Sequence, residues 1–355
     1  MKKMNMESNS PSATATAAAG TSATLSADDA TIVQRLREAR QRVKDEMAKV
    51  VVGQDEIVDH LLIGLLCQGH VLLHGVPGLG KTLMGRTLAK TLDMDFKRIQ
   101  FTPDLMPSDI TGTDVMEEDH TTGKHTLQFL RGPVFTNFLL ADEINRTPPK
   151  TQASLLQAMQ EREVSVGTQT FKLSPPFFVV ATQNPIEMEG TYPLPEAQVD
   201  RFMFNLRVKY PTVQEEVQII KGTTSTLTAE ASEVMAADEV VRLQQLVRGV
   251  PVADSVIHYV ARLVAQTRPG QVPHDDSIHK YISYGASPRA SQYLVLGAKA
   301  RAILSGKYHV DFADIQAIAH PVLRHRLVLN FHARADKVDS DMLIDRILKV
   351  VPQEG

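Results

Sequence analysis

The sequence has little cysteine, few long apolar runs and no large excess of charge of either sign. Its single cysteine, Cys67, excludes internal disulfides and cysteine-based metal sites. Because Cys67 lies in the apolar segment 61–67, we expect it to be a buried, small apolar residue. The 38 Lys and Arg against 41 Asp and Glu give a net charge of −3, and no basic stripe is present, which argues against nucleic-acid binding.

The apolar runs of the sequence are short. The uncharged stretch 61–80 contains five glycines, one proline and two histidines, and no run approaches the roughly 20 apolar residues that a membrane helix needs. Lys2 and Lys3 are not followed by a continuous apolar segment, so we expect no signal peptide. These features predict a cytoplasmic protein with no stable membrane insertion.

Length and composition predict two domains and a tail. Residues 1–29 are mostly Ser, Ala, Thr, Asn and Gly, and they lack the large apolar groups whose burial would offset the entropy of ordering. We therefore expect this tail to be disordered. Strand and helix patterns alternate over 30–211 and predict an α/β domain, whereas the helical periodicity of 212–355 predicts a smaller, all-helical one.

The strongest motif lies in residues 69–82 and fits the phosphate-loop pattern G-x-x-x-x-G-K-[S/T]. An apolar run at 71–73 precedes the motif and a helical pattern at 83–92 follows it, which is the strand–loop–helix context that a phosphate loop needs. Backbone N–H groups and the helix N-terminus are then expected to bind nucleotide phosphates. The predicted binding residues are Gly75, Val76, Pro77, Gly78, Leu79, Gly80, Lys81 and Thr82.

Two carboxylates follow a second apolar strand pattern at 138–143. Asp142 comes 61 residues after Lys81, whose ammonium can reach the β- and γ-phosphates, and ligands in such sheets bind at the carboxyl ends of the strands. We expect Asp142 to organise Mg²⁺ together with the Thr82 hydroxyl, and Glu143 to polarise the attacking water. The alternative is an ordinary Asp-Glu pair at a strand end. The presence of both motifs in this order favours the catalytic interpretation.

Three more strands are predicted at 96–101, 177–185 and 202–208, which gives five in all. Asn184 comes at the end of the second of these and could hydrogen-bond the γ-phosphate or the water. An Asn in that position is commonly only a turn former, so this role depends on the pattern around it.

Two regions between the strands predict inserted β-hairpins. Residues 102–132 predict a helix interrupted by a hairpin insert, with a plain surface hairpin as the alternative, and residues 164–173 predict a short hairpin. Thr147 is expected to cap the helix between them, because Pro148 and Pro149 suit a first helical turn. Gln54 belongs to a Gly-Gln turn upstream of the phosphate loop. In ring ATPases a turn of this kind commonly lines the adenine pocket.

The assembled motifs resemble those of the MoxR family of AAA+ ATPases. The resemblance covers roughly residues 36–330 and is far more specific than the phosphate loop, which many nucleotide hydrolases share. It is carried by the blocks 75–82, 102–110, 140–161, 181–185, 189–202 and 284–290.

This resemblance implies an α/β fold, in which a P-loop AAA+ core with a five-stranded parallel sheet and β-hairpin inserts precedes a smaller all-helical lid. It also implies an ATP hydrolase that uses ATP and Mg²⁺ and works as a homo-oligomeric ring, usually a hexamer. Such proteins are thought to act like chaperones on partner complexes, in some cases by assisting metal or cofactor insertion. A partner with a von Willebrand factor A domain is implied as well.

The resemblance also implies roles for three polar residues. Asn184 looks like the first sensor, Arg201 like the arginine finger and Arg289 like the second sensor on the lid. For Arg289 the alternative is an ordinary solvated arginine on a helix. Arg131 and Arg146 could also face a subunit boundary.

Three other functions share parts of this pattern. A small-molecule kinase or nucleotide switch would share the phosphate loop, but the Asp142–Glu143 pair favours attack by water. A nucleic-acid motor would share the hairpins, but the net charge and the lack of basic-aromatic clusters argue against it. The motor subunit of a metal chelatase shares the hairpin inserts. The sequence does not distinguish such a subunit from a remodelling chaperone, because the two differ in the partner protein.

Overall fold

The computed structural model describes residues 27–119, 124–185, 190–225, 229–271 and 276–353. The predicted disordered tail, 1–29, lies outside the described residues except for its last three, which begin the first helix. The described strands are β1 (Val71–His74), β2 (Phe96–Gln100), β3 (Gly112–Asp119), β4 (Lys124–Arg131), β5 (Phe138–Asp142), β6 (Glu163–Val166), β7 (Gln169–Lys172), β8 (Phe178–Gln183), β9 (Phe204–Arg207), β10 (Ile282–Tyr284) and β11 (Val328–Leu329).

Helices surround these strands and dominate the second half of the chain. The described helices are α1 (Ala27–Ala48), α2 (Asp55–Leu66), α3 (Lys81–Thr91), α4 (Pro107–Thr111), α5 (Pro149–Glu161), α6 (Glu196–Val199), α7 (Val213–Thr223), α8 (Ala237–Gly249), α9 (Asp254–Gln266), α10 (Asp276–His279), α11 (Pro288–Leu304), α12 (Phe312–Leu323), α13 (Phe331–Ala335) and α14 (Ser340–Val350). None of them is long and apolar enough to cross a membrane.

The central sheet is parallel and has five strands in the order β2-β5-β8-β1-β9, which confirms the predicted fold class. Strand β5 is buried along its whole length and β8 over all but its last residue, as expected for strands covered on both faces. The register pairs Gln100 with Asp142, and His74 with Gln183. The carboxyl ends of these four strands therefore meet at one edge of the sheet.

Both predicted hairpin inserts are present. Strand β3 pairs with β4 and β6 with β7, each antiparallel, and the short helix α4 leads into the first hairpin. The rings of Phe129 and Phe171 stack with their centroids 4.3 Å apart, so the two inserts contact each other.

The hydrophobic core is divided by the sheet. On one face, α2 and α3 share a single buried cluster with the lid helices α8, α9, α11, α12 and α14. On the other face, α5 and the base of the hairpins form a smaller cluster. The lid is helical, as expected, with the addition of a short antiparallel ribbon of β10 and β11. Cys67 is buried as predicted, and burial raises the pKa of its thiol.

The start of α5 differs from the prediction. Pro148, not Thr147, occupies the capping position, and it makes no side-chain cap bond. The Thr147 hydroxyl donates instead to the carbonyl of Thr102 at 2.8 Å and ties the helix entry to the loop after β2. The prediction that Thr147 caps α5 is therefore wrong, because its hydroxyl is hydrogen-bonded to Thr102.

Candidate functional site

The predicted phosphate loop connects β1 to α3 at the carboxyl ends of the sheet strands. Gly78 and Gly80 have φ values of 84° and 72°. Residues other than glycine seldom adopt this left-handed backbone conformation. Gly80 is also the residue immediately before α3. The loop therefore turns its backbone directly in front of a helix N-terminus, where partial positive charge favours an anion.

Lys81 is folded into this loop. Its ammonium donates to the carbonyl of Gly75 and, at 3.1 Å, to that of Val76. Burial lowers the pKa of Lys81, and the attraction of Asp142 and Glu143 opposes that shift. Both carboxylates are therefore within electrostatic reach of the loop's only cationic side chain.

Asp142 ends β5 and is held by two neighbouring strands. The Thr182 hydroxyl on β8 donates to Oδ1 at 2.6 Å, and the Arg98 guanidinium on β2 donates to Oδ2 through Nη2 at 2.7 Å and Nε at 3.0 Å. Sequence analysis identified neither partner. These contacts fix a buried carboxylate at the sheet edge beside the loop.

A divalent cation fits the donors at this edge. Thr82 offers a hydroxyl and Asp142 a carboxylate, and both are the hard oxygen ligands that Mg²⁺ prefers. No group of three or more His, Cys, Asp or Glu within the described ranges could hold a metal ion. Mg²⁺ at this position would depend on nucleotide phosphates for further ligands, which is its usual mode in such sites.

Glu143 follows Asp142 in a left-handed conformation, with φ of 58°. Its Oε2 accepts from Gln100 Nε2 at 2.8 Å and pairs with Arg146 Nη1 at 3.0 Å. Its backbone N–H donates to the Thr182 hydroxyl at 2.9 Å. A strained backbone at a non-glycine residue is typical of functional sites, where the surroundings fix the side chain in one direction.

Asn184 and Gln54 lie on two sides of the loop. Asn184 is buried directly after β8, and the neighbouring Gln183 carbonyl accepts from the Gly75 N–H at 3.2 Å. Gln54 precedes α2, and its side-chain amide donates to the carbonyl of Lys209 at 3.4 Å, just beyond β9. Asn184 therefore follows a residue bonded to the first residue of the loop, and Gln54 contacts the segment just after the last strand.

The remaining predicted residues, Arg201 and Arg289, lie together in a different place. They share a surface cavity of about 310 Å³, here called the arginine pocket, and no phosphate-loop residue lines it. Asp200 accepts from Arg289 Nη1 at 3.0 Å. The arginine pocket is lined by Gln68, His70, Arg162, Arg201, Arg289 and Tyr293, together with Met159 and Gln160.

A five-stranded parallel sheet in this order, with a phosphate loop after β1 and a helical lid after the sheet, defines a P-loop ATPase of the AAA+ class. A family described as "ATPase family associated with various cellular activities (AAA)" matches residues 70–204, and an AAA lid domain matches residues 274–347. The chain belongs to the MoxR family of AAA+ ATPases.

Similar proteins support this assignment. The chain is 44% identical to Chaperone MoxR1 of Mycobacterium tuberculosis over 89% of its own length and 84% of the relative. It is 31% identical to Protein MoxR of Methylorubrum extorquens, again over 89% of this chain and 95% of that one. The crystal structure of a candidate ATPase from Cytophaga hutchinsonii aligns with a TM-score of 0.82 and 41% identity, over 90% of this chain and 96% of that one.

Proposed function

We propose that this protein hydrolyses ATP and uses the energy to remodel partner protein complexes. The observation that carries the proposal is the convergence of Asp142, Glu143 and Asn184 on the phosphate loop from adjacent strand ends. Asp142 and Glu143 come at the end of β5 and Asn184 directly after β8, at the carboxyl ends of the strands where ligands bind in such sheets.

The roles of the residues follow from their chemistry. The backbone of Gly75–Thr82 would cradle the phosphates, and Mg²⁺ held with Thr82 and Asp142 would neutralise charge on them. Among the described residues, both side-chain contacts to Glu143 use Oε2, so Oε1 would accept a proton from an attacking water. Asn184 would orient that water or the γ-phosphate, and Gln54 would lie beside the adenine.

The arginine pocket supports a site shared between subunits. Arg201 and Arg289 lie together and away from their own phosphate loop, so the proposal has them reach the γ-phosphate of a neighbouring copy. An arginine finger of this kind typically raises the rate about 10³- to 10⁵-fold. The arrangement suits a homo-oligomeric ring, and we propose a hexamer.

The chaperone role is supported by the name of the relative Chaperone MoxR1. We propose that the ring acts on a protein complex containing a von Willebrand factor A domain, and that this action assists metal or cofactor insertion. In a test of this role, Glu143→Gln protein would retain the partner in ATP, whereas Lys81→Ala protein would not. Equal retention by both variants would contradict ATP-dependent action on the partner.

The hydrolysis mechanism is tested by the same two variants. Lys81→Ala should weaken ATP binding, because it removes the loop's cation. Glu143→Gln should bind ATP normally and lose turnover about 10²- to 10⁴-fold, because it removes only the base. ATP affinity measured by calorimetry and phosphate release together separate the two steps. Unchanged affinity in the first variant, or near-normal hydrolysis in the second, would contradict the assignment.

A further inference from the structure

Arg162 lies in the arginine pocket beside Arg201 and Arg289, at the point where α5 ends and the hairpin of β6 and β7 begins. Its backbone is anchored at both sides. The N–H donates to the carbonyl of Ala158 and the carbonyl accepts from the N–H of Leu173, both at 2.9 Å. The side chain is exposed over only part of its surface and takes no part in holding this turn.

The charge of Arg162 is not matched by an acidic group. Its guanidinium contacts the Gln68 carbonyl at 3.5 Å, the outer limit of a hydrogen bond, and no described residue forms an ion pair with it. Partial burial lowers the pKa of Arg162, and repulsion by Arg248 acts in the same direction. None of the residues lining the pocket is acidic, although Asp200 compensates Arg289 from its edge.

The backbone around the pocket is strained in a way that fixes this side chain. Gln68 and Arg162 both have left-handed φ values, 55° and 56°, and both line the pocket. Such conformations cost free energy and persist at sites where the surroundings hold a side chain in position. Three guanidiniums line the pocket and no carboxylate is among its lining residues, so the pocket suits an incoming anion.

We propose that Arg162 is a third cation, beside Arg201 and Arg289, that contacts the phosphate groups of ATP bound to a neighbouring copy of the chain. This inference rests on the proposed shared site and adds a residue to it. Arg162 would act on the charge that develops during phosphoryl transfer, from the end of α5, whereas Arg201 acts from the turn before β9.

The test uses Arg162→Asn, because Asn tolerates the left-handed backbone better than other side chains and removes the charge. We expect kcat at saturating ATP to fall about ten- to a hundredfold, as for loss of one charge-assisted hydrogen bond, with ATP affinity and assembly unchanged. Arg162→Lys should recover part of the rate. Arg242→Ala, which removes a cation from the exposed face of α8, is the control and should keep the wild-type rate.

Mixing identifies the subunit on which Arg162 acts. Arg162→Asn protein mixed with Lys81→Ala protein should regain activity, because an intact loop then meets an intact Arg162. A wild-type rate in Arg162→Asn, loss of its assembly, or no rescue on mixing would overturn the inference. If Lys81→Ala protein restores activity to Arg201→Ala protein but not to Arg162→Asn protein, the role of Arg162 is rejected and the shared site is retained. Failure of both mixtures would reject the shared site.

Discussion

His70 shows how one buried residue is fixed by its hydrogen bonds. Its Nδ1 accepts from the Val179 N–H at 3.1 Å, so Nε2 carries the proton and donates to the Met159 carbonyl at 3.0 Å. Burial lowers the pKa of His70 to about 4, and repulsion by Arg162 adds to that effect. The neutral imidazole therefore belongs to the native state, and protonation opposes folding.

The stability of the fold should consequently fall in acid. In the unfolded chain His70 binds a proton near pH 6.5, so between pH 6.5 and 4 the unfolded state gains protons that the folded state does not, and stability drops as pH falls. His70 alone should account for about 3 kcal/mol by pH 4. His60 and His325, whose pKa values are also lowered by burial, act in the same direction.

Urea unfolding at a series of pH values measures this effect. His70→Gln should flatten the dependence between pH 6.5 and 4, whereas His332→Gln, at an exposed position, is the matched control and should keep the wild-type dependence. An unchanged slope in His70→Gln would mean that His70 is not held neutral.

At the scale of elements, the five strands and the phosphate loop were predictable because each is a local pattern. Strands β1, β5 and β8 are contiguous apolar runs with polar residues directly after them, and the loop is defined by its glycines. Parallel pairing then brings the strand ends together, so the proximity of Asp142 and Glu143 to the loop followed from the sequence.

The partners of those carboxylates could not be predicted in the same way. Arg98 and Gln100 are two residues apart on β2, and the sequence shows that they share a face. Their contact with Asp142 and Glu143 depends on β2 lying next to β5, a long-range pairing that local periodicity does not encode. The contact between Thr182 and Asp142 depends in the same way on the pairing of β5 with β8.

The junction between sheet and lid also depends on such a long-range contact. Asp200, just after α6, accepts from Arg326 Nε at 2.7 Å and from Arg289 at 3.0 Å. The Arg326 side chain is 1% exposed and follows α12 of the lid, where it also donates to the carbonyls of Phe202 and Met203. One carboxylate therefore compensates a buried lid cation.

Removing that carboxylate should destabilise the protein markedly. Asp200→Ala leaves Arg326 buried without a counter-charge, which typically costs about 3 kcal/mol. Asp238→Ala breaks an exposed pair with Arg242 at 3.5 Å and should cost about 0.5 kcal/mol or less. Denaturant midpoints of the two variants give the comparison. Equal midpoints would show that the Asp200 contact contributes no more than a surface ion pair.

On the scale of the whole molecule, the residues of the proposed nucleotide site lie on two separate surfaces. The phosphate loop, Asp142 and Glu143 lie at the carboxyl ends of the parallel strands. The arginine pocket lies where α5, the turn before β9 and the lid meet. Because one buried core joins the sheet to the lid helices, these surfaces belong to the same folded body. In the proposed function, a second copy of the chain brings the pocket to a bound nucleotide.

The central claim is tested most directly by hydrolysis in mixtures of Arg201→Ala and Lys81→Ala proteins. Each variant alone should be nearly inactive. Arg201→Ala protein should still bind ATP, whereas Lys81→Ala protein should be inactive because it binds ATP poorly. The mixture should regain activity at boundaries where an intact loop meets an intact Arg201. The specific rate of the wild-type protein should rise with its concentration until assembly is complete. No rescue, together with a specific rate independent of concentration, would show that Arg201 acts within its own chain.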